Sequence, residues 1–203
     1  MMGADTRVKR RGRRIRFSVR KLERLLADEL VHAASGDNGD VKRVLLTGMS
    51  GVGKSSVVAE LRARGYKAID TDEGWCDVQP DGRQRRRETA VQQLLDTEDA
   101  EILFVAGCEE NQTSFYGQFD RVVLLSAPVD VLLGRVARRT NNPYGKSAVE
   151  LCRIRADVEG VEPLLRRGAD HEIVTDVPLA EVVAAVLHAV EQTAPDDLWR
   201  SQG

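Results

Sequence analysis

The sequence predicts an α/β fold, a three-layer α/β/α sandwich around a parallel sheet. Three observations predict it. Short apolar, β-branched segments alternate with helical ones along most of the chain, a glycine-rich turn joins the first such pair, and 203 residues fit one domain with a short appendage. Strands are expected at 43–47, 67–70, 102–106, 121–126 and 171–175, and helices near 54–64, 84–97, 128–139, 147–167 and 179–192. Alternation of this kind implies right-handed crossovers and a sheet covered on both faces, with ligands gathering at the carboxyl ends of the strands.

Ahead of this domain lies an appendage over 1–40. Residues 1–24 hold ten basic side chains (Arg7, Lys9, Arg10, Arg11, Arg13, Arg14, Arg16, Arg20, Lys21, Arg24) against Asp5 and Glu23, although the whole chain carries a net charge of only −2. Residues 1–17 read as a disordered basic arm. Its charge would permit contact with nucleic acid or anionic lipid, but Phe17 is its one aromatic and it has no stacking platform for bases, so a solvated tail is the simpler reading. From Ser18, a good cap, Val19, Leu22, Leu25, Leu26, Leu30 and Val31 recur at helical spacing to about Ala34. Residues 35–40 form a polar linker, the domain runs over 41–193, and 194–203 read as a frayed tail.

The first strand, Val44-Leu45-Leu46-Thr47, runs into Gly48-Met49-Ser50-Gly51-Val52-Gly53-Lys54-Ser55, a match to the phosphate-binding pattern G-x-x-x-x-G-K-S/T. Glycines let the backbone curl so that successive N–H groups point at phosphate oxygens, and the helix that follows adds its unsatisfied N-terminal N–H groups. Lys54 reaches the β- and γ-phosphates and the Ser55 hydroxyl is placed for Mg²⁺. Gly48, Ser50, Gly51, Val52, Gly53, Lys54, Ser55 and Ser56 are therefore the candidate triphosphate site, with ATP and Mg²⁺ the implied partners.

Three further features narrow the reaction. Asp70-Thr71-Asp72 closes the second strand, where both carboxylates can project into the cleft mouth; one could serve Mg²⁺ and the other an attacking hydroxyl. Arg135, Arg138 and Arg139 share a helix face that runs into a polar loop ending at Lys146, a lid over about 138–148 suited to clamping phosphoryl charge. The third strand ends in Gly107-Cys108 with no Walker-B Asp, and no N-K-x-D guanine reader follows. The small residues there suggest close approach of an acceptor to the backbone.

With these residues in place, the chain resembles the small P-loop kinases related to shikimate kinase, gluconate kinase and adenylate kinase, and AAA-family ATP-binding proteins of that type. The matching elements are Gly48–Ser55, Asp70 and Asp72, the strand ending at Gly107, the helix from Arg135 to Arg139, and Asp176-Val177-Pro178 after the last strand, together spanning about 41–193. The resemblance implies a five-stranded parallel sheet of order 2-3-1-4-5 and transfer of the γ-phosphoryl of Mg-ATP to a small-molecule acceptor. By that resemblance Asp72 would serve Mg²⁺ or the acceptor hydroxyl, Arg135 would lie along the adenine, and the backbone near Asp176 and Pro178 would meet the base edge; the reading of the residues themselves makes Lys54, Asp70, Asp72 and Arg139 the catalytic candidates and Ser55 and Asp72 the Mg²⁺ candidates. The chain departs from shikimate kinases at Gly107, which stands alone before Cys108-Glu109-Glu110-Asn111 where those enzymes carry three glycines. Acceptor candidates are Trp75, Arg86, Gly107 and Asn111, in and beside a subdomain over about 74–97. The run Arg83, Arg85, Arg86 and Arg87 either binds an anionic acceptor or forms an exposed helix face. A nucleoside-monophosphate kinase and a regulatory nucleotide-binding ATPase are the alternative readings.

Composition sets the remaining expectations. Apolar content of 42% with 31% charged residues is that of a globular domain with a real core, and no apolar run approaches a membrane span. Cys76, Cys108 and Cys152 are odd in number and widely spaced, which suggests neither a disulfide framework nor a zinc site. A cytoplasmic monomer or small homo-oligomer with reduced thiols is expected.

Overall fold

The computed structural model describes residues 6–10, 13–17, 41–78, 84–109, 111–140 and 142–191. In chain order its elements are β1 (Thr6–Arg10), β2 (Arg13–Phe17), β3 (Lys42–Thr47), α1 (Lys54–Ala63), β4 (Lys67–Asp70), β5 (Cys76–Val78), β6 (Gln84–Arg86), α2 (Glu88–Leu95), β7 (Ile102–Ala106), β8 (Arg121–Ser126), α3 (Val129–Arg138), α4 (Ala148–Gly160), α5 (Glu162–Gly168), β9 (His171–Val174) and α6 (Leu179–Glu191). A 3₁₀ turn over Gln112–Gln118 precedes β8.

Strands β4, β7, β3, β8 and β9 lie side by side and parallel, which is the 2-3-1-4-5 order. The central strand β3 is apolar at consecutive positions because both of its faces are covered: Val44, Leu45 and Leu46 are wholly buried, as are Leu103, Phe104 and Val105 on β7. Tyr66, at the turn after α1, meets Phe104 edge-on with ring centroids 5.7 Å apart. Helix α6 buries Val182 to Leu187, Ala189 and Val190 against the sheet and α1, as a helix apolar on most sides must.

Three expectations are corrected. The basic arm expected to be disordered instead holds β1 and β2, an antiparallel hairpin that extends the sheet by pairing β1 with β9, with Val8 opposite Ile173 and Ile15. The alternation Arg14-Ile15-Arg16-Phe17 has the period of a strand, and β9 offers a sheet edge; the high local charge masked that pattern. The helix expected over 84–97 begins only at Glu88, because Gln84–Arg86 pairs with β5 and the Arg87 N–H donates to the Trp75 carbonyl at 2.9 Å. The helix expected over 147–167 breaks at Val161, one turn-start before Pro163, whose ring cannot continue the hydrogen-bond ladder. The helix expected over 18–34, the linker 35–40 and the tail 194–203 lie outside the described residues. Among those described, no helix is long and apolar enough to cross a membrane.

Candidate active site

At the carboxyl end of β3 the chain turns through the glycine loop and enters α1. Gly48 packs so closely on β8 that a Cβ would lie 2.2 Å from the Leu125 carbonyl oxygen. Gly48→Ala is therefore expected to force the loop off the sheet. A loss of about 1–3 kcal/mol in thermal or urea unfolding is the expected result, and parental stability would count against this packing. Helix α1 begins at Lys54 with no side-chain cap, so its first N–H groups stay directed into the loop. The Lys54 ammonium donates to the Gly48 carbonyl at 2.7 Å and to that of Met49 at 3.5 Å.

The loop is tied to two other elements. The Thr175 hydroxyl, just past β9, donates to the Val52 carbonyl at 2.8 Å, and Arg135 of α3 donates to the Thr175 hydroxyl at 2.9 Å and the Thr175 carbonyl at 2.5 Å. Arg139 ends α3 and bridges the segment at Tyr144 to the glycine loop, donating to the Ser50 hydroxyl at 3.2 Å and the Tyr144 carbonyl at 2.8 Å. Lys146, by contrast, donates to the Val136, Ala137 and Arg139 carbonyls and so caps the end of α3. Arg138 is exposed, and Asn141 lies outside the described residues.

A cleft of about 580 Å³ opens over the loop. Ser50 through Ser56, Asp70, Asp72, Arg135 and Arg139 all line it, so the structure brings the donor-side candidates together. Asp176 and Pro178 flank this cleft without lining it; the Pro178 carbonyl instead accepts from Glu181 and Val182 N–H at the start of α6. Thr175, Val177 and Leu179 form that wall, along with Asn142 from the loop after α3. Thr175 and Leu179 were not singled out in the sequence, where the segment Asp176-Val177-Pro178 between them was the available signal.

Charge in the cleft is coupled. Asp70 is buried and accepts from the Asp72 N–H at 3.2 Å, which fixes the turn. Asp72 itself reaches the open cleft, yet its carboxyl is crowded by protein atoms: loss of hydration raises its pKa above the ordinary carboxylate value, with Lys54 opposing and Asp70 reinforcing the rise. Burial lowers the Arg139 pKa from its ordinary value, with the Asp72 charge opposing. The Ser55 hydroxyl and the Asp72 carboxylate line the same cleft and suit Mg²⁺ that would be held mainly by phosphate oxygens and water; among the described residues no group of three or more His, Cys, Asp or Glu side chains is placed to hold a metal ion.

The acceptor-side candidates sit apart, in a buried network behind the Asp70–Asp72 turn. The Arg86 Nε donates to Glu109 at 2.6 Å with both side chains sealed from solvent. Asn111 clamps the Arg86 backbone through both its amide atoms, at 3.0 and 3.2 Å. Trp75 is half-buried against the core, and Gly107 lies beneath Thr71 and Glu109. The Cys76 thiol is pushed up to about 12 by burial and by Glu109, and burial also raises Cys108, so neither is a thiolate nucleophile.

Residues 44–156, more than half of the chain, match the profile of a family described as an AAA domain. A shikimate kinase of Pseudomonas putida is 29% identical over 173 residues, covering 76% of this chain and 99% of that protein. Among solved structures, a gluconokinase from Sinorhizobium meliloti 1021 superposes with a TM-score of 0.56 at 21% identity, covering 80% of this chain and 98% of that one. A shikimate kinase from Acinetobacter baumannii in complex with shikimate gives 0.54 at 18% identity, with 80% and 96% covered. The chain thus belongs to the AAA-domain family, and its fold is that of the solved shikimate kinase and gluconokinase structures.

Proposed function

We propose that the protein transfers the γ-phosphoryl group of Mg-ATP to a hydroxyl of a small molecule. The observation that carries this reading is the meeting of three elements in one cleft: the loop with Lys54, the strand-end carboxylate Asp72, and Arg139 reaching from the lid onto Ser50. Loop amides and Lys54 hold the β- and γ-phosphates, while Ser55 and Asp72 would hold Mg²⁺, which when bound would supply charge neutralisation. Arg135, fixed by Thr175, sets the nucleotide side of the cleft. Asp70 or Asp72 orients the acceptor hydroxyl and takes its proton as the new P–O bond forms. The bond from the γ-phosphorus to the bridging oxygen breaks, and ADP leaves. Arg139 faces the phosphoryl oxygens, where charge spreads in the transition state.

A screen of hydroxyl compounds and nucleoside monophosphates for ATP-dependent ADP release tests the reading. At least one hydroxyl compound is expected to stimulate release, and Arg139→Ala is expected to lower kcat by about 10²-fold or more with a smaller change in the KM for ATP. Stimulation by nucleoside monophosphates alone would replace the acceptor class. No acceptor-stimulated release at all would leave a nucleotide-binding module in place of a kinase.

A further inference from the structure

Thr175 joins three elements at the nucleotide side of the cleft. It follows β9 directly and is only 3% exposed, and its N–H donates to the Ser126 carbonyl at the end of β8 at 2.8 Å. Its hydroxyl donates to the Val52 carbonyl at 2.8 Å and accepts from Arg135 Nη1 at 2.9 Å. Arg135 Nη2 donates to the Thr175 carbonyl at 2.5 Å, and Nη1 also reaches the Val52 carbonyl at 3.4 Å. These contacts close a ring between the sheet, α3 and the glycine loop. A hydroxyl suits the centre of that ring because it donates in one direction while accepting from another.

The carbonyl held in this way belongs to the peptide that joins Val52 to Gly53, the last before the lysine of the loop. Gly53 has a φ of +99°, and a Cβ on it would meet nothing within 4 Å. Backbone conformation, not packing, is what requires glycine there, and the same freedom leaves the preceding peptide cheap to rotate. Its orientation is held from outside, since Thr175 and Arg135 both grip the carbonyl from other elements. A trans peptide points its carbonyl and its N–H in opposite directions. The Val52 carbonyl on Thr175 therefore aims the Gly53 N–H away from Thr175.

We propose that Thr175 is a positioning residue for the triphosphate: its hydroxyl holds the Val52–Gly53 peptide so that the Gly53 N–H faces the phosphates. This rests on the nucleotide site of the kinase reading and adds to it a residue that the phosphate-loop pattern does not contain. Without the hydroxyl, the buried Val52 carbonyl keeps only the long Arg135 contact, and the peptide is free to turn its N–H out of the loop. The ligand then loses a charge-assisted hydrogen bond from that N–H. Arg135 loses a partner in the same change, so an effect through the loop has to be told apart from one through the arginine.

Mg-tripolyphosphate separates the two, because it carries the phosphates of ATP without the base or ribose. The full chain is titrated calorimetrically with Mg-ATP and with Mg-tripolyphosphate, as the parent, as Thr175→Val and as Thr175→Ser. Thr175→Val, which keeps the shape and removes the hydroxyl, is expected to weaken both ligands by about tenfold or more. Thr175→Ser, which keeps the hydroxyl, is expected to stay within about threefold of the parent. Weaker Mg-ATP binding alone in Thr175→Val would place the effect on Arg135 and overturns the proposal. A Thr175→Ser chain as weak as Thr175→Val overturns it as well. Should Thr175→Val fail to fold, amide NMR of the parent decides: the Gly53 N–H resonance is expected to move on addition of Mg-tripolyphosphate, and an unmoved resonance overturns the proposal. A parent that binds neither ligand overturns the donor site of the kinase reading and this proposal together. Parental binding of both ligands by Thr175→Val overturns this proposal alone, and the ADP-release screen still judges the kinase reading.

Discussion

Lys54→Ala is expected to lower turnover by about 10³-fold and to leave the fold intact. The magnitude follows from charge in a confined cleft. A unit charge about 4 Å from a phosphate oxygen, at an effective dielectric of about 20, contributes roughly 4 kcal/mol, and that corresponds to about 10³ in rate where the contact tightens in the transition state. The Lys54 ammonium rests on the Gly48 and Met49 carbonyls at the mouth of the loop. Its flexible stem allows it to exchange those carbonyls for phosphate oxygens without moving the backbone. The two hydrogen bonds lost from the protein itself are partly exposed and stabilise it by only about 1 kcal/mol each, so circular dichroism and thermal unfolding should stay near the parent. The check is twofold: calorimetric Mg-ATP affinity, which requires no acceptor, and ADP release with the acceptor that the screen identifies. Parental values in both would remove the loop from the donor site.

How far the sequence reaches differs between the two sides of this cleft. The donor side is legible because its chemistry is local. The loop amides, Lys54 and Ser55 are consecutive, and the strand before them is buried on both faces, which forces an unbroken apolar run from Val44 to Leu46. The parallel strands are recognisable for the same reason, and their predicted limits lie within a residue of those observed. On the acceptor side the deciding contacts are long-range. Arg86 is extended because of Cys76, ten residues earlier, and Asn111, twenty-five later, and no local pattern over Gln84–Arg87 signals either. Glu109 reads in the sequence as a polar group at a strand end, free to meet an acceptor. Its burial beneath Thr71 and its pairing with Arg86 arise only when β4, β6 and β7 come together. Lys146 shows the same limit: a lysine in a lid suggests a phosphate contact, while the three carbonyls it caps belong to a helix end seven to ten residues upstream.

Asp72→Asn is expected to separate activity from stability in opposite directions. Crowding at the cleft mouth raises the Asp72 pKa in the folded protein, with Lys54 only partly offsetting it, and Asp70 and Glu109 add like charge. Above this raised pKa the folded state must hold a carboxylate that is better solvated when the chain unfolds. Between the ordinary carboxylate value and the raised one, the folded state binds more protons than the unfolded state, so this group's contribution to stability falls as pH rises. The parent should therefore lose stability as pH climbs through the raised pKa, and Asp72→Asn should lack that loss and melt higher at neutral pH. Turnover moves the other way. If Asp72 orients the acceptor hydroxyl and helps hold Mg²⁺, the variant should be slower by about 10²-fold or more, and the acid limb of the parent's pH–rate profile, displaced above that of an ordinary carboxylate, should be missing or moved. Mg-ATP affinity should change far less, because the loop amides and Lys54 remain. Melting temperatures across pH, read beside kcat at each pH, make the comparison. A variant that turns over at the parental rate, with the parental acid limb, would take Asp72 out of the chemistry and pass its role to the buried Asp70 two residues before it.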